Sequence, residues 1–116
     1  LSRILGTVKG SMKRGALWWA NLPPPVGRRP VLLLSRDEAY RIRKFVVAIP
    51  LSTRVRGIRT EVSLGTEDGL RRASVANLDT INTIPLSALQ ERIGTLSPAK
   101  LGAVESAVHF ALDLSF

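Results

Sequence analysis

Thirteen of the 17 cationic side chains are arginines, and they come in groups: Arg28-Arg29, Arg41-Arg43, and Arg54-Arg56 with Arg59. A guanidinium is planar, keeps its charge, and offers a fork of donors that matches two phosphate oxygens at once. Grouped forks of this kind suit a polyanionic partner. Two adjacent tryptophans, Trp18 and Trp19, add ring faces on which an unpaired base could stack. Other chemistry drops out: the chain has no cysteine, so disulfide scaffolds, thiolate metal sites and thiol nucleophiles are excluded, and the single His109 cannot form a histidine pair within one chain. No metal and no cofactor are expected. The competing reading of the arginines is a charged face kept for solubility; their clustering favours nucleic acid.

These side chains need a scaffold, and 116 residues allow one small domain. With 45% hydrophobic and 22% charged residues, the chain has material for a core and too little charge for a disordered segment. Its net charge of +8 is uneven: residues 1–59 hold 13 cations against Asp37 and Glu38, and residues 60–116 hold four against seven acids, so the halves carry +11 and −3. No apolar run approaches the roughly 18 residues of a membrane span, and the start lacks the apolar stretch of a secretion signal. The expectation is a cytoplasmic protein without a membrane partner. Met12-Lys13-Arg14-Gly15 reads as a natural start, which makes 1–11 a leader or an added remnant and 12–116 a single domain.

The elements follow from pattern. Gly15 to Leu22 is aromatic and apolar and stops at Pro23-Pro24-Pro25, a first strand running into a loop. Pro30 to Ser35 is a continuous apolar run, a second strand buried on both faces. Arg36 to Lys44 is a charged connector, Phe45 to Ser52 a third strand with Pro50 at a bulge or edge, and Thr60 to Leu64 an alternating fourth. Ser74 to Ile84 carries strand-forming residues with a break near Asn77 to Asp79, and Arg92 to Leu96 supplies one more short strand. Ser97 caps a helix with Pro98 at its first position and Leu101, Val104, Val108, Ala111 and Leu112 along one stripe. Strands first and one helix last predict an α+β, mostly β domain on a strongly curved sheet or small barrel.

Several short motifs stand in a recognisable order: Lys13-Arg14-Gly15 before the aromatic strand, Arg29-Pro30-Val31-Leu32 after a Pro and Gly loop, Ile49-Pro50-Leu51-Ser52-Thr53, and Gly57 before Glu61-Val62. Asn77-Leu78-Asp79-Thr80-Ile81, Thr83-Ile84-Pro85 and Arg92-Ile93-Gly94-Thr95-Leu96-Ser97-Pro98 continue it. Each is weak alone, but in register from Met12 to Leu112 they make the chain resemble the MazF/PemK-type toxins of bacterial toxin–antitoxin pairs. The resemblance implies an SH3-like small barrel of antiparallel strands with a C-terminal helix, a homodimer, and metal-independent cleavage of single-stranded RNA at short motifs. It also implies neutralisation by a small MazE-like antitoxin, an acidic segment crossing the basic face. The RNA could be messenger, transfer or ribosomal.

Cleavage without metal requires a 2′-OH aligned on its phosphorus, stabilised charge on the non-bridging oxygens, and protons moved at the attacking and leaving oxygens, giving 2′,3′-cyclic phosphate and 5′-OH ends. A guanidinium and a hydroxyl suffice in principle. Arg29 matches the family's catalytic arginine, and Pro30 holds its backbone extended. Ser52 falls where the family usually has a catalytic threonine, with Thr53 the alternative if the register slips by one. The strand-end hydroxyl of Ser52 could instead satisfy backbone. For base readout and backbone contact the expected residues are Arg28, Trp19, Arg54, Arg56, Arg59, Asp79 and Thr80. On an alternating strand Trp18 and Trp19 face opposite ways, so at most one is a stacking platform. The loop glutamate usual before the arginine is missing from Pro23 to Arg28, which leaves the general base unassigned. Two other readings stay open: a gyrase-poisoning toxin of the same fold, and a small barrel that binds RNA without cutting it.

Overall fold

The computed structural model describes residues 11–114, so most of the expected leader lies outside the described residues. Among the described residues seven strands and two helices follow in chain order: β1 (Ala16–Asn21), β2 (Arg28–Leu33), α1 (Ala39–Ile42), β3 (Phe45–Pro50), β4 (Glu61–Leu64), β5 (Ser74–Asn77), β6 (Asn82–Pro85), β7 (Leu89–Thr95) and α2 (Pro98–Ala111). Five of the strands form an antiparallel sheet in the order β6-β3-β2-β1-β7, and β4 and β5 form a two-stranded ribbon. An isolated bridge between Ser52 and Val75 joins the two. The architecture is the expected SH3-like, mostly β small barrel with a C-terminal helix, its wall made of two linked sheets.

β2 is central, and Val31, Leu32 and Leu33 are all fully buried. Because successive strand residues face opposite sides, both faces must be covered. Val31 and Leu33 pack with Trp18, Tyr40, Val46 and Ile84 on one face. Leu32 packs with Leu17, Ile49, Leu64, Leu78 and Val104 on the other, under the ribbon and α2. Each such side chain removed from water contributes roughly 1.5–3 kcal/mol. Trp18 is 1% exposed and belongs to the first core, whereas Trp19 is half-buried and faces the other way, as alternation requires.

Departures from the sequence reading are local. β2 begins at Arg28, before Pro30, and β7 begins at Leu89, upstream of Arg92. The connector from Arg36 to Lys44 holds one turn of helix, α1, whose Tyr40 is buried and donates its hydroxyl to the Ser35 carbonyl (3.1 Å). The expected break falls at a 3₁₀ turn, Leu78–Thr80, between β5 and β6. Ser97 caps α2, its Oγ accepting from the Lys100 N–H at 3.1 Å. Glu105 on α2 pairs with Arg14, just before β1, at 2.7 Å.

The connection from β4 to β5 is pressed onto β7. A Cβ at Gly94 would stand 2.5 Å from the Asp68 carbonyl oxygen, and one at Gly69, which has φ +97°, would stand 2.9 Å from that of Ile93. The buried Asp68 carboxylate accepts from the Gly65 N–H (2.9 Å) and from Lys100 Nζ at the start of α2 (2.9 Å). Burial by itself raises the Asp68 pKa, but the hydrogen bonds from Lys100 and Gly65 and the charge of Lys100 carry it below the usual carboxylate value. A lowered folded pKa means the stabilisation is complete above about pH 4 and is lost as pH falls through the folded value.

Two outcomes are expected. Asp68→Asn lowers stability by about 1–3 kcal/mol at neutral pH and flattens the fall in Tm that the parent chain shows below pH 4; thermal melts over pH 2–7 measure both, and parallel curves would contradict the pin. Gly94→Ala costs about 1–3 kcal/mol through the enforced shift of the turn, against a gain of about 0.5–1 kcal/mol for Gly102→Ala inside α2, where a Cβ meets open space.

Candidate active site

Pairing of β2 with β3 runs Leu33 to Ala48, Leu32 to Ile49 and Val31 to Pro50. Continued by two residues, this register sets Arg29 level with Ser52. The intervening pair, Pro30 and Leu51, stands where antiparallel partners exchange two hydrogen bonds. Leu51 donates to the Pro30 carbonyl at 2.9 Å, but proline has no N–H to return. The Leu51 carbonyl is left open, and Nη1 of Arg29 donates to it at 3.3 Å. Nη2 donates to the Val26 carbonyl in the β1–β2 loop at 3.4 Å. Two backbone oxygens therefore hold the guanidinium beside Ser52, while its Nε is buried with no partner among the described residues.

β3 stops at Pro50, short of the expected Ser52, and Ser52 turns toward the ribbon: its N–H donates to the Val75 carbonyl (3.1 Å) and its own carbonyl accepts from the Val75 N–H (2.8 Å). Its Oγ accepts from the Arg54 N–H at 3.0 Å. The backbone role that sequence reasoning offered as the alternative is thus present. It uses a lone pair and leaves the hydroxyl proton free to donate.

Around this pair opens a cleft of about 590 Å³ lined by Trp19, Arg28, Arg29, Ser52 and Thr53, among other residues. Arg28 is committed within it. Its guanidinium lies 4.3 Å over the Trp19 ring, its Nε donates to Gln90 Oε1 at 3.0 Å, and Glu91 approaches at 3.9 Å. One Trp19 face is therefore already stacked, on a cation held by β7. Of the other residues expected in base readout, none lines this cleft. Arg54 adjoins it through its N–H to Ser52. Arg56 lies in the loop to β4, where its N–H and that of Gly57 donate to the Glu61 carboxylate at 3.0 and 2.9 Å. Arg59 stacks over Phe110 at 4.2 Å in a separate shallow groove between β4 and α2. Asp79 and Thr80 sit in the 3₁₀ turn, with the Asp79 N–H donating to Asn77 Oδ1 (3.0 Å) and Thr80 Oγ1 to the Asn77 carbonyl (2.7 Å).

The cleft also contains Arg71, Arg72, Ser74, Glu91 and Arg92, which sequence reasoning did not single out as site residues. The signal was present as an Arg-Arg dipeptide just past Gly69-Leu70, hidden because the surrounding half of the chain is acidic. With Arg28 and Arg29 they make five guanidiniums around one carboxylate, Glu91. Such a cleft favours an anion with several charges in a row.

A family model for PemK-like, MazF-like toxins of type II toxin–antitoxin systems matches residues 13–112. The probable endoribonuclease MazF5 of Mycobacterium tuberculosis (strain H37Rv) is 38% identical over 104 residues, 88% of this chain and 94% of that protein. Its probable endoribonuclease MazF2 is 41% identical over 91 residues, 78% and 87% of the two chains. Among solved structures, the M. tuberculosis toxin MazF-mt6 superimposes with a TM-score of 0.81 at 34% identity, covering 87% of this chain and 99% of that one. An endoribonuclease from a mycobacterial species, in complex with its cognate antitoxin, gives 0.79 at 30% identity over 91% and 99%. Matched along nearly its whole described length, the chain belongs to the PemK-like, MazF-like toxin family of type II toxin–antitoxin systems.

Proposed function

We propose that this endoribonuclease of the MazF type cleaves single-stranded RNA at short sequence motifs without a metal ion, and that a cognate antitoxin silences it by covering the cleft. The observation that carries the reading is the Arg29–Ser52 pair: a guanidinium fixed by two carbonyls, with one donor unmet, beside a hydroxyl whose proton is free. A phosphodiester placed between them receives donors on its non-bridging oxygens, where charge builds in the transition state. The neighbouring 2′-oxygen bonds to phosphorus as the bond to the 5′-oxygen breaks. Water in the open cleft takes the 2′ proton and returns one to the departing 5′-oxygen, leaving 2′,3′-cyclic phosphate and 5′-OH ends. Thr53 is a flanking hydroxyl, and Trp19 with Arg28 contacts the nucleotide next to the cut.

The antitoxin partner is supported by the mycobacterial relative solved with its cognate antitoxin. An acidic segment would compete with RNA for the same arginines. Exposed Phe110 and Leu112 near the end of α2, with Ile58 in the loop before β4, support a homodimer.

Incubation with mixed-sequence single-stranded RNA in EDTA tests the chemistry. The parent chain is expected to cut at a recurring short motif, and Arg29→Ala to lose about 10²–10³-fold in rate with its melting curve unchanged. Full activity in that variant would overturn the site, and no cutting by the parent chain would return weight to gyrase inhibition or to RNA binding alone. Ser52→Thr should keep activity where Ser52→Ala loses it. Pro30→Ala restores an N–H that competes for the Leu51 carbonyl, so its cleavage rate should fall several-fold although both reacting side chains are intact.

A further inference from the structure

We propose that Arg71 and Arg72 form a second clamp on the RNA backbone, holding the phosphate that adjoins the one at Arg29 and Ser52. The proposal rests on the reading that the cleft takes RNA, and it assigns these residues to positioning.

The five cleft arginines divide by what they already hold. Arg28 is engaged by Trp19, Gln90 and Glu91, Arg29 by the carbonyls of Leu51 and Val26, and Arg92 by Thr95 Oγ1 at 2.9 Å. The guanidiniums of Arg71 and Arg72 hold nothing: neither has a hydrogen-bond or ion-pair partner among the described residues. Two adjacent like charges, sharing a cleft whose one lining carboxylate, Glu91, is paired with Arg28, repel each other and the three other cations there, and an anion entering it relieves this. Their long side chains are exposed and free to adapt.

The backbone beneath them is fixed. On one side the turn is pressed onto β7 at Gly69 and Gly94 and pinned by Asp68 to Lys100. On the other side Ser74 lines the cleft and Val75 is bonded in both directions to Ser52. Arg72 thus lies two residues, roughly 7 Å of extended chain, before Ser74, which adjoins the residue that Ser52 pairs with. A rigid base carrying unengaged cations, tethered to the reacting hydroxyl, can grip a neighbouring phosphate without taking part in bond exchange. Such phosphate grips carry no sequence information but set register.

The test uses a mixed-sequence single-stranded RNA with 2′-O-methyl groups throughout, which cannot be cut, and follows binding over a salt series. Arg71→Gln/Arg72→Gln should bind at least about tenfold more weakly, with the slope of log affinity against log salt smaller by about 0.7 for each phosphate that is no longer neutralised. With unmodified RNA its KM should rise while kcat stays within about twofold of the parent, and Arg71→Lys/Arg72→Lys should recover most of the affinity. Arg36→Gln/Lys44→Gln removes two charges outside the cleft and should leave affinity nearly unchanged. Equal affinity and slope in the Arg71/Arg72 variant, or an equal loss in the Arg36/Lys44 control, overturns the clamp. A fall in kcat with unchanged KM also overturns it. If the parent chain binds but does not cut, the cleavage reading fails while the binding comparison still decides the clamp.

Discussion

The site depends on one absent hydrogen-bond donor. In an antiparallel ladder a proline can be seated where its missing N–H is irrelevant, at an edge or a strand start. Pro30 sits inside the ladder between β2 and β3, at a pair that should exchange two bonds and exchanges one. The unmet acceptor is the Leu51 carbonyl, and the residue before the proline fills it with a side chain. An arginine on a strand end would otherwise wave in solvent. Here the same backbone that leads out of β3 to Ser52 also holds the guanidinium, so cation and hydroxyl are positioned by one local defect.

That economy explains why the rest of the barrel can be ordinary. The two cores on either side of β2 fix the plane and register of the central strands, and Leu51 and Leu70 of the second core border the cleft itself. What they transmit is registration: a slip of β3 by one residue would turn its buried side chains to the wrong faces, so burial of Val46, Ala48 and Ile49 also keeps Ser52 in place. The far wall is set differently, by two glycines that let backbone meet backbone and by an ion pair to α2. Side-chain packing governs one wall and close main-chain approach the other.

Much of this was legible in the amino-acid order. The apolar run after Pro30 announced a doubly buried strand, Ser97-Pro98 announced a helix start, and the Asn, Asp and Thr between Asn77 and Thr80 announced the break. Arg29 and Ser52 could be picked out as candidates from the motif order, and alternation alone separated Trp18 from Trp19. Two things could not be read. The stack of Arg28 on Trp19 depends on the register between β1 and β2, and the entry of Arg71 and Arg72 into the cleft depends on where a turn lands on a strand some twenty residues later. Arg54, Arg56 and Arg59 looked equivalent to the cleft arginines by composition, yet Arg54 only adjoins the cleft, and the loop beyond it, tied to Glu61 at Arg56 and Gly57, carries Arg56 and Arg59 away from it. Local charge pattern reports availability, and long-range docking decides which cations share a cleft.

The pairing of β1 with β7, Ala16 with Thr95 at one end and Ala20 with Leu89 at the other, joins segments near the two ends of the described chain. Trp19 and Arg28 come from the first part, Ser52 from the middle, and Glu91 and Arg92 from the last strand. Non-local pairings of this kind form slowly, because a long loop must close before its stabilisation is gained. During synthesis the arginine-lined cleft is therefore incomplete while β7 is still inside the ribosome. A growing chain with its arginines exposed carries them as separate charges on unfinished sheet, and the complete cleft appears late, as a property of the whole domain.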